Sequence, residues 1–369
     1  MMPALAMTGA ENLIDGCLGP ISGMTIGLVA EKPELGWYDA AIADTLEECI
    51  TARGGICRRL ASDGPANMAD PRITTLEAEV DGLVFLCRSG DQGRFERKAA
   101  TKPVVMCYAR NAAMLASEFG TLPHGAMTIL KKLIDRLCME AREIEVTCPA
   151  GTCLTGSITP PPDADDKIAE VGIKRFPMAV PQPLGCEGFS GRVVIRGSLA
   201  TTGSRVYYPP VVALDDEITV TLDGNRITSV DGDPADQARF RKHYMQIAEQ
   251  FGLDAYFVHS FHAGIHPGLD PAMVSMADAD YWANTVFGSP HFLHFHTCGM
   301  TPPGEICWMI ADPTIRLDGV ALWLQGKLQP MAFVPLASML EESAALQAAF
   351  QRQPATAWPP DDIQGGRQA

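Results

Sequence analysis

No stretch of this 369-residue chain approaches the ~18 consecutive apolar residues that a membrane span requires. The opening residues, Met1 to Ala10, hold no basic segment followed by a sustained apolar one, so no secretory leader is expected and the protein is read as cytoplasmic. Positive charge is scarce too. Lys and Arg number 29 against 44 Asp and Glu, a formal net charge of −15, with a sequence pI near 4.9. Such a surface repels phosphate backbones and anionic lipid, so neither nucleic acid nor membrane is an expected partner. The 11 cysteines contain no Cys-x-x-Cys pair and none of the even spacing that small secreted domains use. Most are expected to be reduced and buried, with Cys298 and Cys307 the two worth watching. The glycines around Gly54-Gly55 and Gly90/Gly93 form no Gly-x-Gly-x-x-Gly after a strand, so a dinucleotide fingerprint is lacking.

What is present suits a globular enzyme. With 47% hydrophobic and 20% charged residues, the chain can bury a substantial core, and its length favours two domains. Residues 1–158 read as an α/β domain. Met24–Ala30, Gly82–Cys87 and Val104–Tyr108 are short apolar runs bounded by turn residues, while Tyr38–Arg53 has helical spacing. Alternation of this kind predicts a parallel sheet flanked by helices. Met127, Leu130, Ile134, Leu137, Cys138 and Ala141 fall on one face of a further helix, a stripe that signifies core packing. Thr159-Pro160-Pro161-Pro162-Asp163 is a stiff connection that marks a domain boundary near Ile158.

Residues 164–353 read as an α+β, strand-rich domain. Arg192–Ser198 and Arg205–Tyr208 have β character, and Ile218–Leu222 and Arg226–Val230 flank the turn residues Asp223-Gly224-Asn225. Asp233-Pro234 starts a helix that Gly252 ends. A second hairpin joins Thr314–Leu317 to Val320–Leu324 through Asp318-Gly319. From about Pro354 to residue 369 the chain is rich in Pro, Gln and Gly, and a disordered tail is expected.

The strongest site signal is a concentration of histidine. Of the 8 histidines, His259, His262, His266, His291, His294 and His296 crowd into one segment. His294 and His296 are two apart, so on a strand they share one face and could grip one ion. A single histidine more often packs and hydrogen-bonds than ligates. Several crowded together without a cation are hard to satisfy, which points to a divalent metal. Glu305 is the nearest carboxylate in sequence, and Glu187 stands in the Gly-rich run Gly185-Cys186-Glu187-Gly188.

Three segments carry a resemblance. Val146-Thr147-Cys148-Pro149-Ala150-Gly151-Thr152-Cys153-Leu154-Thr155, then Pro183 to Glu187 with Gly191 to Leu199, then Asp312-Pro313-Thr314-Ile315-Arg316-Leu317-Asp318-Gly319 resemble, in order, motifs of the leucyl aminopeptidase (aminopeptidase T) family. That fold also includes 2,5-dihydroxypyridine 5,6-dioxygenase, a ring-cleaving enzyme with mononuclear iron. The resemblance implies the fold and a metal site more firmly than a reaction. By motif, Glu187 falls on the peptidases' first metal carboxylate. The segment Ser260 to Pro267 makes His262 or its neighbour His259 a ligand, and His294 or His296 falls on a further family histidine. Counting back from Asp312, the family's His-x-Asp pair falls on Glu305 and Cys307, a departure that argues against a simple copy of either relative.

The set implied is thus His259, His262, His294, His296 and Glu305 for metal, with Glu187 and His266 as acid–base candidates. It approaches the two-histidine, one-carboxylate face that leaves open positions on Fe(II), the favoured ion. The leading expectation is a ring-opening dioxygenase acting on a small hydroxylated N-heterocycle or related aromatic. Zn(II) in a hydrolase of an amide, cyclic amide or peptide bond is the alternative. A homo-oligomer is implied by the resemblance alone. Cys307, flanked by Ile306, Trp308, Met309 and Ile310, reads as a neutral thiol on a strand buried on both faces.

Overall fold

The computed structural model describes residues 2–66, 69–92, 102–158, 172–201, 207–300, 303–355 and 357. The chain divides into two compact units that interleave in sequence. One is Met1–Thr128 with Ile168–Ala179 and Gly203–Val206; the other is Ile129–Lys167, Val180–Thr202 and Tyr207–Ala369. The proline run that suggested a single break near Ile158 lies in residues 159–171, outside the described residues.

The first unit is the expected parallel sheet. Strands β1 (Thr25–Glu31), β2 (Ile56–Ser62), β3 (Gly82–Leu86), β4 (Val104–Cys107) and β5 (Lys174–Phe176) lie in the order β2-β1-β3-β4-β5, every neighbour parallel. All of β3 and β4 is buried, as continuous apolar runs in such sheets require. The helix Ala40–Ala52 returns the chain between β1 and β2, its first turn capped by Asp39, which accepts the Ile42 N–H at 2.9 Å.

The second unit has two antiparallel sheets. Eight strands form the larger, including Phe189–Ile195 and both predicted hairpins. Gly224 supplies φ 60° to one turn, and Asp318 and Gly319 supply 48° and 84° to the other. Of the expected strand Arg205–Tyr208, residues 205 and 206 lie outside the described residues, and Tyr207 and Tyr208 are not in a strand. The smaller sheet comprises β6 (Leu184–Gly185), β7 (Ser198–Thr201), β8 (Val211–Ala213), β9 (Val258–Ala263), β10 (Phe292–Cys298) and β11 (Glu305–Ala311). Their order is β8-β7-β11-β10-β9-β6. Pro354 and Ala357, at the start of the expected disordered tail, are held. The Pro354 carbonyl accepts from His291 Nε2 at 2.9 Å, and Ala357 packs with Trp282 and Phe292.

One face of the smaller sheet is aromatic. Phe261 and Phe295 lie 5.2 Å apart and Phe295 and Trp308 5.3 Å, centroid to centroid. Against them packs the helix Pro234–Phe251, started by Asp233 and stopped by Gly252 at φ 66° as predicted. Its Tyr244 hydroxyl accepts from Trp308 Nε1 at 2.6 Å and bonds the Thr297 hydroxyl. Thr297 in turn donates to the Ile306 carbonyl at 2.8 Å. Tyr244, Trp308 and Thr297 thus satisfy one another, and the two strands β10 and β11 are pinned from behind.

His243, on the same helix, is buried edge-on to Tyr207, and neither of its ring nitrogens has a hydrogen-bond partner. Burial pulls its pKa down to about 4. The unfolded chain therefore takes up a proton below about pH 6.5 that the folded chain refuses, so stability is flat above that pH and falls towards pH 4. His243→Phe, which keeps an aromatic ring against Tyr207, is expected to unfold like wild type at pH 8. At pH 4.5 it should be more stable by up to about 3 kcal/mol. Equal acid sensitivity of the two proteins in denaturant titrations would remove His243 as a source of the loss.

Candidate metal centre

The other face of the smaller sheet carries the histidines. Strand alternation puts His294, His296 and Cys298 of β10 on one side with Glu305, Cys307 and Met309 of β11, and cross-strand pairing sets the neighbours. His294 faces His262 of β9, His296 faces Cys307, and Cys298 faces Glu305. A bulge between Val258 and Ser260 takes His259 out of the ladder. The outcome is three imidazoles, His262, His294 and His296, whose ligand atoms all lie within 4.8 Å of one another. Their ring centroids are 4.1, 5.1 and 4.9 Å apart. Each residue keeps 6–7% of its surface exposed, whereas Phe261, Leu293 and Phe295 on the reverse face keep none. What little exposure the cluster has is on the histidine face.

Hydrogen bonding fixes how these rings present themselves. The Pro181 carbonyl can only accept, so His262 Nδ1, 3.0 Å away, carries a proton and donates it. His296 Nδ1 lies against Glu305 Oε1, and a carboxylate there is likewise served by an Nδ1–H. Both Nε2 atoms are then lone-pair donors, and they sit 3.1 Å apart. Two lone pairs at that distance repel unless a cation, a proton or a metal ion, lies with them. The spacing is that of two imidazoles sharing one ion with bonds of about 2.0–2.1 Å. Glu305 Oε2 is buried with no hydrogen-bond partner, a further sign that the site is built for an added charge. The residues fit a divalent metal held by His262, His294 and His296.

The remaining predicted residues take other places. Glu305, expected as a ligand, groups with His296 and Cys307 and not with His262 and His294. It grips the Nδ1 side of His296, the carboxylate–histidine arrangement that orients a ligating ring. Cys307 Sγ is 3.9 Å from the same nitrogen, on a strand buried on both faces along Glu305–Trp308. His259 is half-buried at the bulge, its Nδ1 2.8 Å from the Ser260 hydroxyl. Desolvation lowers its pKa; His296 lowers it further, while Glu305 and Glu187 raise it. Glu187 itself is exposed. His266 is completely buried apart from the cluster. Its Nδ1 accepts from Gly268 N–H at 3.2 Å, and burial holds its pKa to about 3, so it is neutral at physiological pH. Phe287 stands edge-on to His294 with centroids 5.7 Å apart, giving the cluster an aromatic neighbour that the sequence did not single out.

No family model matches the chain, and no curated protein matches it. Solved structures do. 2,5-Dihydroxypyridine dioxygenase from Pseudomonas putida aligns over 89% of this chain and 98% of its own, with TM-score 0.55 and 13% identity. AmpT from Thermus thermophilus aligns over 89% of this chain and 100% of its own, with TM-score 0.50 and 12% identity. The chain has their fold. At these identities the likeness shows the fold alone, in line with the ordered motifs of the sequence. Among the described residues no helix is long and apolar enough to cross a membrane.

Proposed function

We propose that this protein is a mononuclear Fe(II) enzyme that opens the ring of a small hydroxylated N-heterocycle or related aromatic with O2. The observation that carries this reading is the all-imidazole set, with the Nε2 atoms of His262 and His296 facing each other 3.1 Å apart. When bound, the ion would offer open positions to adjacent substrate oxygens and to O2, and three neutral donors leave its charge available to an anionic substrate. His262 and His296 keep their Nδ1 protons on Pro181 O and Glu305, which holds both rings as neutral donors. Phe287, edge-on to His294, offers a planar ring an apolar neighbour. His259, half-buried at the bulge beside the cluster, is a candidate to move a proton. In the overall reaction both oxygen atoms enter the product as one ring bond breaks, so one O2 is consumed per substrate and no external reductant is needed. A cytoplasmic homo-oligomer taking a small diffusible substrate belongs to the same reading.

The second reading is a zinc-type hydrolase, which the same donor set also suits. Three histidines with an open position are also how water-activating zinc is held, and the fold is shared with AmpT. Metal analysis of protein purified without added metal, followed by turnover tests in air and under argon, separates the two. Iron with one O2 taken up per dihydroxypyridine-type substrate is the expected result. Zinc with anaerobic cleavage of an amide would overturn the oxygenase.

A further inference from the structure

The helix His124–Glu140 buries Leu130, Ile134 and Cys138, yet on the same stretch it also buries Lys131 and Asp135, at 5% and 2% exposure. Lys131 Nζ and Asp135 Oδ2 are 2.7 Å apart. Buried ion pairs contribute little net stability, and apolar side chains of similar volume commonly serve as well, so this pair invites a functional explanation. The other carboxylate oxygen supplies one. Asp135 Oδ1 accepts the Gln182 N–H at 2.7 Å, and the carbonyl across that same peptide bond, Pro181 O, is the acceptor of His262 Nδ1 at 3.0 Å.

We propose that Lys131 and Asp135 position and polarise His262 through the Pro181–Gln182 peptide bond, a counterpart to the direct grip of Glu305 on His296. The inference rests on the reading of His262, His294 and His296 as metal-holding and is independent of which reaction follows. A carboxylate pulling on an amide N–H shifts electron density onto the amide oxygen, because the two ends share one delocalised system. The more negative Pro181 oxygen holds the His262 Nδ1–H more firmly, which fixes the ring and makes Nε2 a better donor. Lys131, on the other carboxylate oxygen, holds Asp135 in that orientation. Two of the three imidazoles are thereby backed by a buried carboxylate, one directly and one through a peptide group. Lys131 and Asp135 are positioning residues, since neither reaches the imidazole edges.

The test is cobalt affinity of the full-length metal-free protein, measured by competition with a chromophoric chelator. Asp135→Asn alone strands a buried Lys131 charge, so the informative protein is Lys131→Met/Asp135→Asn, which removes both charges and leaves an amide oxygen for Gln182. Its dissociation constant for Co2+ should rise about 10- to 100-fold, with the thermal midpoint of the metal-free form near that of wild type. In the cobalt-loaded, 15N-histidine-labelled protein, the His262 Nδ1–H resonance should move and exchange faster while that of His296 stays in place. A folded double variant that binds cobalt as tightly as wild type, or a His262 resonance that does not move, overturns the relay alone. A wild-type chain that takes up no cobalt overturns the metal centre, and the relay with it.

Discussion

His294→Ala is expected to leave the purified protein with less than about a tenth of the wild-type metal, while the metal-free form unfolds at nearly the wild-type temperature. Loss of one of three protein ligands typically abolishes retention through dialysis, since no other described donor groups with His262 and His296. The scaffold should hold because β10 is pinned from its other face by Phe295, Thr297 and the Tyr244–Trp308 pair. His296→Ala should differ in kind. It also loses the metal, but it deprives Glu305, 3% exposed, of the side chain that its Oε1 binds. A buried carboxylate left alone costs about 3–5 kcal/mol. His296→Ala should therefore be markedly less stable than His294→Ala, and adding Glu305→Gln should recover most of the difference. Full metal content in either single variant would show that the three-imidazole site is not where metal is held.

The architecture was readable because it is written in periodicity. Continuous apolar runs such as Gly82–Leu86 and Val104–Cys107 form buried parallel strands, and Asp233-Pro234 with Gly252 brackets its helix residue for residue. His294 and His296 were readable as a pair for the same reason, since alternation alone puts them on one face. Partnership across strands was not. Whether His259 or His262 joins them depends on the bulge at His259, and a one-residue change of register would turn the other imidazole inward. Glu305 was found as a residue, but not its position, because the pairing of His296 with Cys307 is what brings Glu305 to the Nδ1 side of His296. Asp135 and Pro181 were beyond sequence reasoning altogether, since one acts through a backbone N–H and the other through a backbone carbonyl. The one available signal was a Lys and an Asp four residues apart on a helix face otherwise made of Leu130, Ile134 and Cys138.

Glu305→Gln should weaken metal binding by about 10- to 100-fold while leaving the metal-free protein at least as stable as wild type. The substitution keeps the shape, and a glutamine oxygen can still accept the His296 Nδ1–H, so the ring stays in place. What disappears is the negative charge that makes His296 a stronger donor and compensates an added cation. Removing a buried charge whose Oε2 has no hydrogen-bond partner relieves a desolvation cost, so affinity and stability should move in opposite directions. Glu305→Ala should lose more affinity, because His296 is then free to turn. Cobalt spectra decide whether the carboxylate orients His296 or is itself a ligand. An outer carboxylate leaves the visible band shape of the Co2+ protein nearly unchanged in Glu305→Gln once enough metal is supplied. A ligating one changes the donor set and therefore the spectrum. An unaltered affinity in a folded Glu305→Gln protein would remove Glu305 from the metal centre.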